Sequence, residues 1–178
     1  MPPLLTPDGG HTGRMDDIEA FWQRAQQHAD LAQVSSYTGV NPLAVLRPPA
    51  WGFGATPEQA DELLGLVLAG TKTATASALW DYEAEGEDLP EEGTLGIVVD
   101  GSGTPRALVV TTRVRVVPFD EVDAEHARAE GEGDLSLEHW RAVHQDFFAR
   151  HASHDRGFAP DMPVVLEELR VLHAEPAR

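Results

Sequence analysis

The sequence predicts an α+β fold, in which a small curved sheet or barrel has helices inserted between its strands. Segments with the pattern of strands concentrate after residue 70, and segments with helical spacing lie before and between them. The chain has 178 residues, of which 42% are hydrophobic, so it is long enough for one core and short for two full domains. We therefore expect one domain with an extension.

The first fifty residues predict this extension. Residues 1–14 lack the basic-then-apolar pattern of a signal sequence and are expected to be a disordered leader. Residues 15–50 are expected to form an N-terminal helix, over residues 15–34, and then a connector. The helix is indicated by the spacing of Ile18, Phe21, Trp22, Ala25 and Ala29, and the connector by its Gly, Asn-Pro and Pro-Pro punctuation.

A second helix and an unusual motif come next. Thr56 is a predicted N-cap with Pro57 at the first helical position, and Gly70 is placed to end this helix. The alternating threonines of TKTATASALW predict a strand after it. Residues 81–92, DYEAEGEDLPEE, contain seven acids and no base, which predicts an exposed loop.

The rest of the chain supplies most of the predicted sheet. Strands are predicted at residues 94–100, 106–118 and 163–173, the first two joined by the turn GSG. Between the last two strands, FDEVDAEHARAE predicts a short helix, EGEGD a flexible hinge, and residues 135–150 a further helix. The core spacing of this last helix is carried by Leu137, Trp140, Val143 and Phe147.

Charge and composition narrow the partners. The net charge is −17, from 30 acids against 13 lysines and arginines, and such a chain repels a phosphate backbone unless its few arginines gather on one face. DNA is therefore not expected, whereas a small neutral ligand meets no such penalty. No apolar run reaches about 18 residues, so no membrane span is expected.

Cysteine and histidine usage bears on location and cofactors. The absence of cysteine removes disulfides and thiolate metal sites and suits a cytoplasmic location. His126 and Glu130 are four residues apart, but no H-E-x-x-H motif is present. We expect no metal and no other cofactor.

Lys72, in the stretch GTKTATAS at residues 70–77, is the only lysine of the chain. A guanidinium stays protonated in proteins, whereas a desolvated lysine amine can act as a base or a nucleophile. Lys72 is therefore a candidate functional residue. A codon bias that favours arginine is the alternative explanation.

An ordered series of motifs resembles the ASCH-domain family. The series is ELLGLVLAGTKTATAS, LPEEG, VPFDEV, AEGEGDLSLEHWRAVHQDFF and DMPVVLEELRVL, and it corresponds to the longer branch of the family with G-x-K-T-A-T and E-G-E-G-D. The resemblance covers residues 51–173 and leaves residues 174–178 as a tail. It implies a PUA-like fold, a small β-barrel flanked by helices, with a cleft associated with RNA or nucleosides.

The resemblance also implies three alternative activities. Small members of the family hydrolyse the amide of N4-acetylcytidine with a lysine and a threonine of G-x-K-T-x-T and a glutamate of a later H-A-x-x-E segment. These positions are Lys72, Thr75 and Glu130 in this chain. Longer members are linked to ribonuclease activity through the same lysine, and a non-catalytic RNA-binding or regulatory module is the third alternative. The implied partner is a small nucleoside or RNA.

Each catalytic candidate has a chemical role in amide hydrolysis. Thr75 would be the nucleophile, and Glu130 would position the amine of Lys72. Alternatively, Lys72 would be a fixed cation that stabilises an oxyanion instead of a neutral base, with Glu130 acting on water, and the sequence leaves both mechanisms open. Because residues three apart on a strand point to opposite faces, we expect non-strand backbone near Lys72 if it is to meet Thr75.

Further residues are candidates for substrate contact. Tyr82 is suited to stack on a base, and Glu167 to be a buried acid at the site, with a surface ion pair as the alternative. A positive groove continuous with Lys72 would favour RNA, whereas a closed pocket of nucleoside size would favour the amidohydrolase. The arginines proposed for that groove, which alternatively pair with surface acids, are Arg113, Arg115 and Arg141.

Overall fold

The protein is described by a computed structural model over residues 11–29 and 47–175. The predicted leader up to residue 10, the end of the predicted N-terminal helix together with most of the connector (residues 30–46), and the last three residues of the predicted tail lie outside the described residues. The helices are α1 (His11–His28), α2 (Pro57–Leu68), α3 (Leu79–Glu85), α4 (Ala124–Glu130) and α5 (Leu137–His151), with a 3-10 turn at Phe119–Glu121. The strands are β1 (Ala50–Trp51), β2 (Ala74–Ala78), β3 (Leu95–Val99), β4 (Pro105–Pro118) and β5 (Pro163–Ala174).

The five strands form one mixed sheet in the order β1-β3-β4-β5-β2. β1 is parallel to β3, and the other neighbours are antiparallel. β4 and β5 pair along nearly their whole length, with two register shifts in β4. Trp51 of β1 and Thr75 of β2 lie at opposite ends of this order and yet line one cavity. The sheet therefore curls, and the predicted α+β class is confirmed.

Two helices of the first half cover the sheet as their spacing predicts. On α1, Phe21, Trp22 and Ala25 are buried against strands β3 and β4, although the helix already begins at His11. On α2, Leu64 and Val67 pack in a second cluster with Phe53. No helix in the described ranges is long and apolar enough to cross a bilayer.

The region after β2 corrects one prediction. β2 ends at Ala78, and the residues predicted as the end of a strand and the start of an exposed loop form α3 instead. Asp81 and Tyr82 are buried, and an Asp81 carboxylate oxygen accepts the backbone N–H of Ser153 at 2.7 Å. The acidic composition misled because a short helix can bury one face while its other acids, here Glu83 and Glu85, project into solvent, and Gly86 then ends the helix with φ +69°.

Helix α5 corrects a second prediction, the one about its core residues. Trp140 and Phe148 are its buried aromatic residues, in a cluster with Phe119 and Met162. Val143, predicted as a core residue, is 40% exposed and lines a cavity together with Phe147. The helical period was right, but one edge of the apolar stripe faces a cavity instead of the core.

Candidate functional site

The end of α2 sets the backbone of Lys72. Gly70 adopts φ +74°, its N–H donates to the carbonyl of Val67, and the N–H of Thr71 donates to that of Leu66. This pair of bonds is a Schellman motif, which reverses the chain after a helix. The N–H of Lys72 also donates to the Leu66 carbonyl, and β2 begins only at Ala74. The predicted non-strand backbone at Lys72 is thus confirmed.

The Lys72 ammonium is buried between two carboxylates. Its Nζ donates to Glu130 Oε2 at 2.9 Å and to Glu132 Oε1 at 2.6 Å, and it lies 5.5 Å from the centre of the Phe53 ring. An ammonium has three N–H donors, so these two ion pairs leave one donor for a ligand. The side chain itself is only 1% exposed.

Glu130 is the most fully bonded acid of the site. While Oε2 accepts from Lys72, Oε1 accepts the indole N–H of Trp140 at 2.7 Å and the Nε2–H of His126 at 3.1 Å. His144 Nε2 lies 3.5 Å from the same oxygen. These partners come from α4 and α5 and from the segment before β2, so the buried carboxylate joins three parts of the chain.

Glu132 is a site residue that the sequence analysis missed. It lies in EGEGD, which was predicted to be a flexible hinge, but both glycines of this turn pack tightly. A Cβ on Gly131 would lie 2.5 Å from the Thr71 carbonyl oxygen, and one on Gly133 would collide with the ring of His139. The turn therefore holds Glu132 against Lys72. A signal was present in the sequence, since glycines are typical of tight turns and of places where the backbone makes a close approach.

The charges of this cluster support each other. Burial opposes the charged form of Lys72, but attraction to Glu130 and Glu132 outweighs it and holds the Lys72 pKa above its usual 10.5. Burial likewise opposes ionisation of Glu130, but the charge of Lys72 and the histidine contacts hold the Glu130 pKa well below 4.5. Lys72 is therefore a fixed cation in this structure, and the neutral-base role left open by the sequence is not favoured.

A cavity of about 330 Å³ opens beside this cluster. Lys72, Thr75, Glu130 and Glu132 line it, so the three catalytic candidates border the same cavity. Its other walls come from α2 and α5 and from Phe53, and its volume lies at the small end of the range for ligand sites. Thr75 lies in β2 and is buried.

A second cavity, of about 350 Å³, holds two of the predicted contact residues. Tyr82 and Glu167 line it, and Thr75 lines it as well, so this threonine borders both cavities. The side chain of Thr111 donates to Glu167 Oε2 at 3.0 Å. Burial, followed by the charge of Glu167, raises the pKa of Tyr82 to about 12.

The predicted arginine groove does not form around Lys72. Arg113 and Arg115 line a third cavity, where they lie 3.4 Å from Glu168 and 3.3 Å from Asp123, respectively. Arg141 donates to the backbone carbonyls of Asp120 and Val122 instead. The guanidinium groups are thus occupied by acids and by the backbone. Within residues 11–29 and 47–175, no three His, Asp or Glu side chains are placed so that they could hold a metal ion.

The arrangement combines a fixed cation, a hydroxyl and a partly accessible carboxylate at one cavity. Such a set can bind an ester or amide carbonyl, attack it and stabilise the resulting oxyanion. The 22% exposure of the Glu132 side chain, against 1% for Glu130, makes Glu132 the acid that a substrate or water can reach.

Comparisons with known proteins agree with this fold. A crystal structure of a protein from Enterococcus faecalis V583 is 33% identical to the chain, with 88% of each chain covered and a TM-score of 0.74. A crystal structure of an ASCH domain from Lactobacillus crispatus JV V101 is 27% identical, with 91% of this chain and 98% of the other covered and a TM-score of 0.74. No protein of curated function matches the chain.

The family is shown by the extent of the match. The family model of the ASCH domain matches residues 49–173, which include the Lys72 cluster and all of the five strands except Ala174 at the end of β5. With its mixed sheet and flanking helices, the structure has the PUA-like α+β fold that the motifs imply. The chain belongs to the ASCH-domain family.

Proposed function

We propose that the protein is a hydrolase that cleaves the amide of an N4-acylated cytidine, such as N4-acetylcytidine. The observation that carries this proposal is the meeting of Lys72, Thr75 and Glu132 at one small cavity. A nucleophile, a proton carrier and a cation are the three components that amide hydrolysis needs. The family resemblance supplies the substrate class.

The proposed reaction has two steps. In the first, Oγ of Thr75 attacks the acyl carbon, its proton passes to Glu132, and the oxyanion forms beside the free N–H of Lys72. The bond from the acyl carbon to N4 then breaks, N4 takes the proton from Glu132, and cytidine leaves. In the second step, water attacks the threonine ester while Glu132 takes a proton from the water. The ester bond then breaks, Oγ of Thr75 takes the proton back from Glu132, and the carboxylic acid leaves.

Glu130 takes the positioning role, one of the two roles that the sequence left open for it. Both of its oxygens are occupied by donors from Lys72, Trp140 and His126, and the carboxylate is buried. A carboxylate in this state orients Lys72 and keeps it charged. We therefore assign Glu130 as a positioning residue and give the proton transfer to Glu132.

The charges around the cavity support a small uncharged substrate over an RNA strand. Glu62, Glu130 and Glu132 line the cavity and Lys72 is the cation among its lining residues, so a phosphate would meet mostly like charge. Arg113 and Arg115, which could bind a backbone, face another cavity and are paired with acids. Within residues 11–29 and 47–175, Arg113 and Arg115 thus give the ribonuclease and RNA-binding alternatives no support at Lys72.

The test is an assay of the purified full chain with N4-acetylcytidine, in which release of cytidine and acetate is followed by chromatography. We expect turnover by the wild type and its loss in Thr75→Val, which removes the hydroxyl with little change in volume. Thr73→Val is the matched control, because Thr73 is exposed and its hydroxyl bonds the carbonyl of Ala129. Cleavage of RNA without any release of cytidine would replace this proposal by the ribonuclease alternative.

A further inference from the structure

We infer that the second cavity is the base-binding subsite, and that Glu167 recognises the exocyclic amino group of cytosine there. This cavity lies next to the Lys72 cavity across Thr75, which borders both. The inference rests on the proposed function, since it places the base on one side of Thr75 and the acyl group on the Lys72 side. It adds the residue that selects the base.

The sheet register places Glu167 beside the proposed nucleophile. Thr75 on β2 and Glu167 on β5 are direct partners in the antiparallel ladder. Side chains of such partners share one face of the sheet, with Cβ atoms about 4.5–5.5 Å apart. An amide that lies over this pair can present its N–H to Glu167 and its carbonyl carbon to Thr75.

Glu167 has acceptor capacity left for a ligand. It is 8% exposed, and the hydrogen bond from Thr111 reaches only Oε2. No lysine, arginine or histidine of the described residues forms an ion pair with it. Because burying a carboxyl group without donors is costly, a site of this kind gains from a ligand that brings an N–H.

The walls of the cavity fit a planar base. Trp51, Leu89, Pro90 and Val109 supply apolar surface, and Tyr82 adds an aromatic ring whose hydroxyl stays protonated because its pKa is raised to about 12. An apolar cavity with a few placed polar groups is typical of small-molecule sites.

The carboxylate of Glu167 selects among bases. Glutamate accepts a hydrogen bond from N4 of cytosine, whereas uracil presents its O4 acceptor at the same position. Cytidine should therefore bind more tightly than uridine. Glu87 and Asp88 line the same cavity, so a phosphate would be repelled and the nucleoside should be preferred to its monophosphate.

The experiment measures dissociation constants of cytidine, uridine and cytidine monophosphate by calorimetry. The wild type should bind cytidine about 10-fold or more tightly than uridine. Glu167→Gln should abolish or reverse this preference, since an amide can donate to O4. Glu168→Gln is the matched control, because the neighbouring Glu168 pairs with Arg113 outside this cavity, and it should behave as the wild type.

A second measurement keeps the inference testable should Glu167→Gln fold poorly. In NMR spectra of the wild type, cytidine should shift the amide signals of Thr75, Gly96 and Glu167, which line or flank the second cavity. Absence of cytidine binding, equal affinity for uridine, a preference that survives in folded Glu167→Gln, or shifts confined to Gly54 and His139 of the first cavity would each overturn it.

The outcomes separate this inference from the proposed function. If cytidine binds with a preference that depends on Glu167 but N4-acetylcytidine is not hydrolysed, the proposed function fails and the base subsite stands. If hydrolysis is seen without that preference, only the base subsite fails.

Discussion

The indole nitrogen of Trp140 donates a 2.7 Å hydrogen bond to Oε1 of Glu130, while Lys72 occupies Oε2 of the same carboxylate. Through this hydrogen bond α5 holds Glu130 in place, and Glu130 in turn holds Lys72 in place. The ring of Trp140 also packs in the core with Phe119, so the site is anchored to the hydrophobic interior. Core packing and lysine geometry are therefore coupled at Trp140.

Trp140→Phe tests this coupling. The variant keeps an aromatic ring but removes the N–H, which leaves Oε1 of a buried carboxylate short of a donor. We expect a loss of about 1–3 kcal/mol in the free energy of unfolding and a lower kcat with little change in KM. Urea unfolding and steady-state kinetics measure both. Trp80→Phe, in a helix outside the Lys72 cavity, controls for loss of an indole, and an equal effect there would contradict the assignment.

Glu130→Gln and Glu132→Gln separate positioning from proton transfer. Glu130 is buried in an ionic network, and breaking such a network costs about 3–5 kcal/mol. Glu132 is partly exposed, so its variant should lose much less stability. We expect Glu132→Gln to be folded but to lose about 100-fold or more in kcat. A folded Glu132→Gln with the wild-type rate would return the proton transfer to Glu130 or to water.

The sequence predicted the local backbone around this site better than the long-range contacts between its side chains. Thr56 begins α2 and Gly70 ends it, as their capping chemistry requires. The capping at Gly70 also produces the non-strand backbone at Lys72. Such signals are local, so a single segment contains them. The pairing of Lys72 with Glu132, by contrast, joins residues sixty positions apart and depends on the packing of a glycine turn.

The arginines and α3 show the same limit. Alternation along β4 places Arg113 and Arg115 on one face, but which cavity that face borders depends on the register with β5 and on its shift between Thr111 and Arg113. In α3, the acid count outweighed the helical spacing that buries Asp81 and Tyr82. Composition describes the average of a segment, whereas burial is decided residue by residue through tertiary contacts.

Lys72→Arg tests why the only lysine lies here. The space between Glu130, Glu132 and Phe53 holds a compact ammonium, whereas a guanidinium is planar and larger. The charge is kept, so the variant should fold, but its donors are displaced from the oxyanion and kcat should fall about 100-fold or more. Arg113→Lys, at an exposed ion pair, is the reciprocal control and should keep full activity. Wild-type kcat in Lys72→Arg would mean that any cation suffices.

Acid should weaken the fold through Glu130. Because its folded pKa lies well below the unfolded value of 4.5, Glu130 stabilises the protein fully above about pH 4.5, and this contribution is lost as the pH falls through the folded pKa. Each unit of depression corresponds to about 1.4 kcal/mol. Urea unfolding of wild type and Glu130→Gln between pH 7 and pH 3 should show a stability difference that is largest at pH 7 and shrinks towards pH 3. A constant difference would show that Glu130 does not titrate in this way.

Gly131→Ala tests whether the glycine turn positions Glu132. Gly131 has φ +74°, and its Cβ would lie 2.5 Å from the Thr71 carbonyl oxygen, so the turn must move away from the segment that carries Lys72. Gly86→Ala is the matched control, because Gly86 has φ +69° and nothing within 4 Å of its Cβ. Both variants pay about 1–2 kcal/mol for the left-handed backbone, but only Gly131→Ala should lose further stability and about 10-fold or more in kcat, since a misplacement of 1 Å can cost 100-fold. Thermal unfolding and kinetics of the two variants side by side make the comparison, and equal behaviour would show that the turn does not hold Glu132 in place.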